Sequence, residues 1–188
     1  LDALPANVMR PHYDRNKMTP GIVHIGVGNF HRAHLAWYVH RLMQQGHALD
    51  WASIGAGVRK HDAIMREKLL RQDCLTTLIE LDPYGVQTTE VTGAMLDFLP
   101  LEPDNKPLIQ AMADPRIRIV TTTITEGGYY LDPANNGLDL SHADITHDAK
   151  NPDHPRTAFG AIVAALRLRR DSGIGPFTGL SCDNLQGN

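Results

Sequence analysis

The chain has 188 residues, 42% hydrophobic and 21% charged, with a formal net charge of −3. That supplies one apolar core and excludes a disordered acidic tail or a broad basic face for nucleic acid. The longest apolar run, Ala158–Leu166, falls well short of the ~20 residues of a membrane span.

Cys74 and Cys182 form neither a disulfide framework nor a paired-cysteine metal motif, and they suit a reducing cytoplasm. Leu1–Pro5 lacks the basic and apolar regions of a signal peptide. With no initiator Met and with Asn188 as the last residue, the ends read as those of a fragment.

Residues 1–20, broken by Pro5, Pro11 and Pro20, read as an arm packed on the domain formed by 21–188. Ile22–Gly26 is a short apolar strand. Phe30–Gln45 carries Ala33, Ala36, Val39 and Leu42/Met43 on one face and stops at Gly46, which predicts a helix. Trp51–Gly57 reads as a strand and His61–Gln72 as a helix. Leu75–Leu81 and Val86–Thr92 flank Asp82-Pro83-Tyr84-Gly85, which predicts a hairpin on a type I turn.

Pro107–Ala113 is a short helix, and the β-branched run Ile117–Ile124 is a strand. Residues 126–155, rich in Gly, Pro, Asn and Asp, form a loop too long for mere connection, either functional or an excursion between domains. Arg156–Ser172 is a helix with Ala158, Phe159, Ile162, Val163 and Leu166 as its apolar face. Arg167, Arg169 and Arg170 form its solvated, dipole-complementing end. Phe177–Cys182 is a last strand, with Cys182 buried. Strands alternating with amphipathic helices predict an α/β fold. The sheet is Rossmann-like and mostly parallel, with helices on both faces and an inserted β-hairpin. Ligands of such sheets bind beyond the carboxyl ends of the strands.

The sharpest local signal is Gly26-Val27-Gly28 between a strand and a helix, followed by Asn29-Phe30-His31-Arg32. Gly26 permits a tight turn, Gly28 lets a pyrophosphate approach the backbone, and the helix start offers free amides. His31 stands where a third glycine is usual. His31, Arg32 and His34 are placed to face a phosphate. The ten histidines offer no third ligand at metal spacing. At the second strand's end Asp62 would accept from ribose hydroxyls, favouring NAD, while Arg59 and Lys60 would hold a 2′-phosphate, favouring NADP. A solvated helix start explains Asp62 equally well. Thr125-Glu126-Gly127-Gly128 lets backbone approach a flat ring such as nicotinamide, or is a plain turn. Asn184, after the last strand, would donate to a substrate oxygen that gains negative charge, or would cap a helix.

Taken in order, Gly26–His34, Thr123–Tyr129, Arg156–Gly160 with Arg167–Arg170, and Pro176–Asn184 closely resemble the polyol-specific long-chain dehydrogenases, most nearly their mannitol-oxidising branch. The resemblance runs from about Gly21 to Asn188. It implies a metal-independent, nicotinamide-dependent enzyme that interconverts a polyol and a ketose, mannitol and fructose foremost. Fructuronate reductases and arabinitol dehydrogenases are related. It also implies a phosphate loop of Gly26, Gly28, Asn29, Phe30 and Arg32 and an Asn184 amide on the reacting oxygen; the turn read above adds cofactor contacts at Thr125, Glu126 and Gly127. A helical domain beyond residue 188, with a lysine base, is expected to complete the site.

None of Lys17, Lys60, Lys68, Lys106 and Lys150 falls in a motif at the nicotinamide end, so this chain alone is expected to be inactive. A non-catalytic nucleotide-binding module is the rival from another class. A methyltransferase is disfavoured by the Thr-Glu-Gly-Gly-Tyr and Cys-Asp-Asn motifs.

Overall fold

The computed structural model describes residues 1, 3–135 and 137–184. The elements begin with β1 (Val8–Met9), β2 (Pro20–Ile25) and a π-helical turn (His31–Leu35) that runs into α1 (Ala36–Gln44). Next come β3 (Ala52–Ala56), α2 (Asp62–Arg71), β4 (Thr76–Leu81), β5 (Gln87–Thr92) and β6 (Met95–Phe98). The chain continues through α3 (Lys106–Ala113), β7 (Ile119–Thr122), α4 (Ala143–Lys150), α5 (Ala158–Asp171) and β8 (Thr178–Ser181).

Five strands make a fully parallel sheet in the order β6-β3-β2-β7-β8. Its central strand β2 is buried on both faces, which is why its sequence is nearly all apolar. Val23 and Ile25 pack on Leu108 and Met112 of α3 and on Ala158, Ala161 and Ala165 of α5. On the other face Ile22 packs with Val39 and Met43 of α1. The chain order places β2 at the point where the strand sequence reverses, so the crevice for a ligand opens beyond β2 and β7.

The hairpin β4-β5 is inserted between α2 and β6, with antiparallel register from Thr76↔Thr92 to Leu81↔Gln87. Its turn closes with Gly85 N–H donating to the Asp82 carbonyl at 3.1 Å, and Gly85 takes a φ of 83°. Residues 1–20 do more than pack against the domain. Val8–Met9 pairs in parallel with Thr89–Glu90, making a second sheet in the order β1-β5-β4. This sheet is tied to α1 through the buried Glu90, which accepts from Trp37 Nε1 at 2.9 Å and lies 3.2 Å from His40 Nε2. Tyr13 from the arm reaches the other nitrogen of His40 at 2.7 Å.

Four sequence expectations change. Residues 95–98 form β6, the outer strand of the parallel sheet; a four-residue strand shows too little alternation to be read as one. Within the 126–155 segment lies α4, whose buried Asp148 accepts from the amides of Arg156 and Thr157 at 2.7 and 3.0 Å and so fixes the start of α5. Val163 is exposed; Ile162 and Leu166 pack against the core as expected, and the fully buried stripe of α5 is Ala158, Ala161, Ala165 and Arg169. Small residues there let α5 lie close on α3 and the sheet.

Arg169 is not part of a solvated helix end. Its guanidinium, buried in the protein, donates to the carbonyls of Gly175 at 2.6 Å, Asp114 at 2.8 Å, Met112 at 3.1 Å and Ile117 at 3.2 Å. It satisfies backbone groups that the turn before β7 and the loop before β8 would otherwise bury unpaired. Arg169→Leu is therefore expected to lower unfolding free energy by about 3 kcal/mol, the scale for losing charged hydrogen bonds and stranding buried acceptors. Exposed Arg170→Leu should change it by only ~0.5 kcal/mol. Urea unfolding of the two variants beside wild type checks both values.

Candidate functional site

At the end of β2 the chain must turn sharply while staying against β7. Gly26 has a φ of 94°, its amide donates to the Ala56 carbonyl at 2.9 Å, and a β-carbon there would sit 2.0 Å from the Thr123 carbonyl oxygen. No other residue fits that backbone angle and that contact together. Gly28 is glycine for a different reason. A β-carbon on it would meet nothing nearer than the Gly26 oxygen at 3.9 Å, so its bare backbone forms the open floor of a cradle.

The helix after this turn begins at Asn29, with Arg32 N–H donating to the Gly28 carbonyl at 3.3 Å, and passes into a π turn at His31. The first amides of a helix have no acceptor within it and can serve an anion. Arg32 curls back, donating to the Gly28 carbonyl at 3.2 Å and to Asn29 Oδ1 at 2.6 Å. This sets a positive charge beside the turn. Phe30 is exposed and stacks on His34 at 4.8 Å.

His31 does not face the cleft. It is fully buried, stacked on His24 of β2 at 4.2 Å, and neither of its ring nitrogens has a hydrogen-bond partner among the described residues. The imidazole fills the space between helix and sheet that a third glycine would close by letting the two approach. His24 is also buried, but its nitrogens are bonded. Nδ1 lies 2.6 Å from Thr121 Oγ1, and Nε2 lies 3.2 Å from the Gly26 carbonyl and 3.0 Å from Thr123 Oγ1.

Two adjoining cavities lie along the carboxyl edge. One, of about 110 Å³, is walled by Ile25, Gly26, Val58, Arg59, Asp62 and Thr123–Thr125. The other, of about 380 Å³, runs along Gly26–Gly28 to Asp62, Met65 and Lys68 of α2. Asp62 lines both, but one of its oxygens is already used: Oδ2 accepts from the amides of Val58 and Arg59 at 3.1 and 3.0 Å. Gly57 is glycine because a β-carbon there would lie 2.3 Å from Asp62 Cβ. Asp62 therefore caps its own turn first, and its Oδ1 remains for His61, at 3.3 Å, or for a ligand. Arg59 lines the first cavity; exposed Lys60 lines neither.

Thr125 joins Arg59 and Asp62 in one cavity, at the end of the cleft formed by β3. The Thr125–Tyr129 segment, which the sequence offers either as a backbone approach to a flat ring or as a plain turn, closes with Gly128 N–H donating to the Thr125 carbonyl at 2.7 Å. A β-carbon on Gly128 would be 3.5 Å from Arg59 Nη2, and Gly127 faces open space. The side chain of Glu126 lies outside the described residues.

Asn184 is exposed just past β8, on the far side of β7, and lines neither cavity. Residues 185–188, the end of the last motif, lie outside the described residues. Cys182 is half-buried and beyond β8 rather than within it. The sequence reading missed Asp183, which accepts from the amide of Ile124 at 3.2 Å and from the Tyr129 hydroxyl at 2.5 Å. Its signal was its place in the Ser-Cys-Asp-Asn motif.

A parallel sheet crossed at its reversal point by a glycine turn that opens a helix defines the Rossmann-type fold. Residues 20–188 match the family model of the mannitol dehydrogenase Rossmann domain, and the chain belongs to that family. It is 62% identical over 182 residues to a mannitol 2-dehydrogenase of Cereibacter sphaeroides, covering 97% of this chain and 38% of the relative. It is 46% identical to a polyol:NADP oxidoreductase of Gluconobacter oxydans, covering 100% of this chain and 39% of that protein. The structure of Pseudomonas fluorescens mannitol 2-dehydrogenase, a ternary complex with NAD and D-mannitol, superposes with a TM-score of 0.93 at 45% identity. That match covers 98% of this chain and 38% of the other. The chain thus spans under two fifths of the length of these relatives.

The buried histidines make stability depend on pH. Burial pushes His24 from 6.5 down to about 4 and holds His31 well below 6.5. The folded protein keeps both neutral, while the unfolded chain protonates them near the ordinary value. The unfolded state then binds more protons as pH falls from about 6.5 toward 4. The stability contributed is whole above that window and is lost within it. Each histidine should cost about 1.4 kcal/mol per pH unit. Urea unfolding at pH 7 and pH 5 should show a smaller loss for His24→Gln than for wild type.

Proposed function

We propose that this chain is the cofactor-binding domain of a metal-independent polyol dehydrogenase that acts with NAD on the mannitol–fructose pair. The single observation that carries the reading is the open backbone at Gly28. It lies beside a left-handed Gly26 and immediately before a helix start. That geometry accepts a pyrophosphate, whose charge the helix dipole and Arg32 favour. The likeness to the Pseudomonas fluorescens complex with NAD and D-mannitol supports the choice of ligands. In this reading the domain spans 21–188 behind an arm of 1–20, and a helical domain carrying the base follows in the longer protein. Unpaired Cys74 and Cys182 and a described structure without a helix long and apolar enough to cross a membrane are compatible with the cytoplasm as its place.

NAD when bound takes a hydride from C2 of the polyol onto C4 of its ring. The residues here bind and orient. Gly26, Gly28, Asn29, Phe30 and Arg32 form the phosphate cradle. Asp62 Oδ1 and Arg59 flank the adenosine ribose, with Thr125, Glu126 and Gly127 as the opposite wall. Asp62 Oδ1, which the Val58 and Arg59 amides leave unused, accepts from a ribose hydroxyl in place of His61 and repels a 2′-phosphate, which favours NAD over NADP. Arg59 acts in the opposite sense. Asn184 donates its amide to the C2 oxygen.

Two measurements test the assignment. Gly28→Val fills the cradle with a branched side chain and should abolish NADH binding by isothermal titration. Its thermal midpoint should stay near wild type, since no neighbouring atom is displaced. Asn184→Ala in the full-length protein should lower kcat by roughly 10²–10³, the scale for one lost oxyanion donor, with NADH affinity barely moved. A loss confined to NADH affinity would make Asn184 a cofactor or capping residue.

A further inference from the structure

β7 and β8 are neighbouring parallel strands, and their ladder ends at the bond from Cys182 N–H to the Thr122 carbonyl, 2.9 Å. Beyond that rung the two chain ends become loops with separate directions. The Thr123 amide still turns inward, to the Ile25 carbonyl at 2.9 Å. The Ile124 amide turns the other way, toward β8, where the backbone has left the sheet. The carboxylate of Asp183 takes that amide at 3.2 Å. A side chain thereby replaces the next carbonyl of the ladder.

The same oxygen, Oδ2, accepts from the Tyr129 hydroxyl at 2.5 Å, and Ser181 Oγ lies 3.0 Å from that hydroxyl. Tyr129 is the residue at which the Thr125–Gly128 turn comes back, and its ring packs at 5.9 Å on Phe159 of α5. Burial and the neighbouring carboxylate push its phenol up, so it stays protonated and donates. One carboxylate thus closes the loop after β7 at both ends, Ile124 and Tyr129, and joins it to the loop after β8. What it joins matters. Thr123, Ile124 and Thr125 are a wall of the cavity by β3, and the residue following Asp183 is Asn184.

We propose that Asp183, with Tyr129, is a positioning residue that sets the cofactor wall and the Asn184 amide at a fixed distance from each other. Neither side chain touches a reacting atom. The inference rests on the cofactor reading above, and it adds that the two halves of the cleft are registered by one hydrogen-bonded carboxylate rather than by the sheet.

The experiment uses the full-length protein, with NADH titration and steady-state kinetics with mannitol and NAD on Tyr129→Phe, Asp183→Ala, Asp183→Asn and the double variant of the first two. Asp183→Ala should lower kcat by roughly 10²-fold, the scale for a reacting group displaced by about 1 Å. NADH affinity should weaken only about threefold, because the phosphate cradle is untouched. Tyr129→Phe keeps the ring on Phe159 and should lower kcat about tenfold, the scale of one hydrogen bond to a charged group. The double variant should be no slower than Asp183→Ala alone, since both changes break one unit. Asp183→Asn keeps an acceptor oxygen and should restore kcat to near wild type.

A wild-type kcat in Asp183→Ala, losses that add in the double variant, or an Asp183→Asn as slow as Asp183→Ala would each overturn the clamp. If Asp183→Ala does not fold, a wild-type kcat in Tyr129→Phe overturns it equally. Wild-type protein that binds no NADH would overturn the cofactor reading itself, and the clamp with it.

Discussion

The Thr123 carbonyl oxygen lies where the β-carbon of any other residue at position 26 would have to go, 2.0 Å away. That contact brings the end of β2 against the end of β7 at the reversal point of the sheet. It obliges Gly26 to be bare and lets it adopt a φ of 94°. Thr123 completes the junction by donating its hydroxyl to the Gly26 carbonyl, which His24 Nε2 also approaches at 3.2 Å. The turn is therefore held from below by β2 and from the side by β7 before any ligand arrives. Preorganisation of this kind lowers the ordering cost of binding.

From that junction the rest of the cleft follows outward. The turn leads into a helix that begins at Asn29 and widens at His31 into a π turn, with the wider spacing of i→i+5 bonding. The widened turn accommodates the buried His31 ring against His24. On one side, Asp62 closes the Val58–Arg59 turn with two amide bonds and stands at the cavity mouth. On the other, Asp183 carries the sheet's bonding pattern past the end of β8. Two carboxylates, one on each side of the central crevice, thus shape loops that the sheet itself leaves free.

Much of this was legible in the sequence. The strands that flank the crevice and the hairpin stood out because burial on both faces and turn chemistry leave local marks, as in Ile22–Ile25 and Asp82–Gly85. Gly26 was readable for the same reason, since it answers a backbone need, and Gly28 through its place two residues further on in the strand–turn–helix. What the sequence did not carry were partnerships between distant residues. Arg169 looked like a solvated helix end because its acceptors, the carbonyls of Met112, Asp114 and Ile117, lie more than fifty positions away. His31 looked like a phosphate ligand until packing placed it beneath the turn. That Thr125 and Arg59 wall one cavity depends on the loops after β7 and β3 meeting, which composition does not reveal. The β1 strand of the arm exists only because β5 offers it an edge.

The central claim is that the carboxyl edge at Gly26–Gly28 holds a dinucleotide across the reversal point of the sheet. A crystal structure of the chain grown with NAD tests it most directly. The account predicts the pyrophosphate over the Gly28 backbone at the start of the helix, with the adenosine ribose beside Asp62 and Arg59. NAD seated elsewhere on the molecule, with the Gly26–Gly28 turn bare, would contradict it.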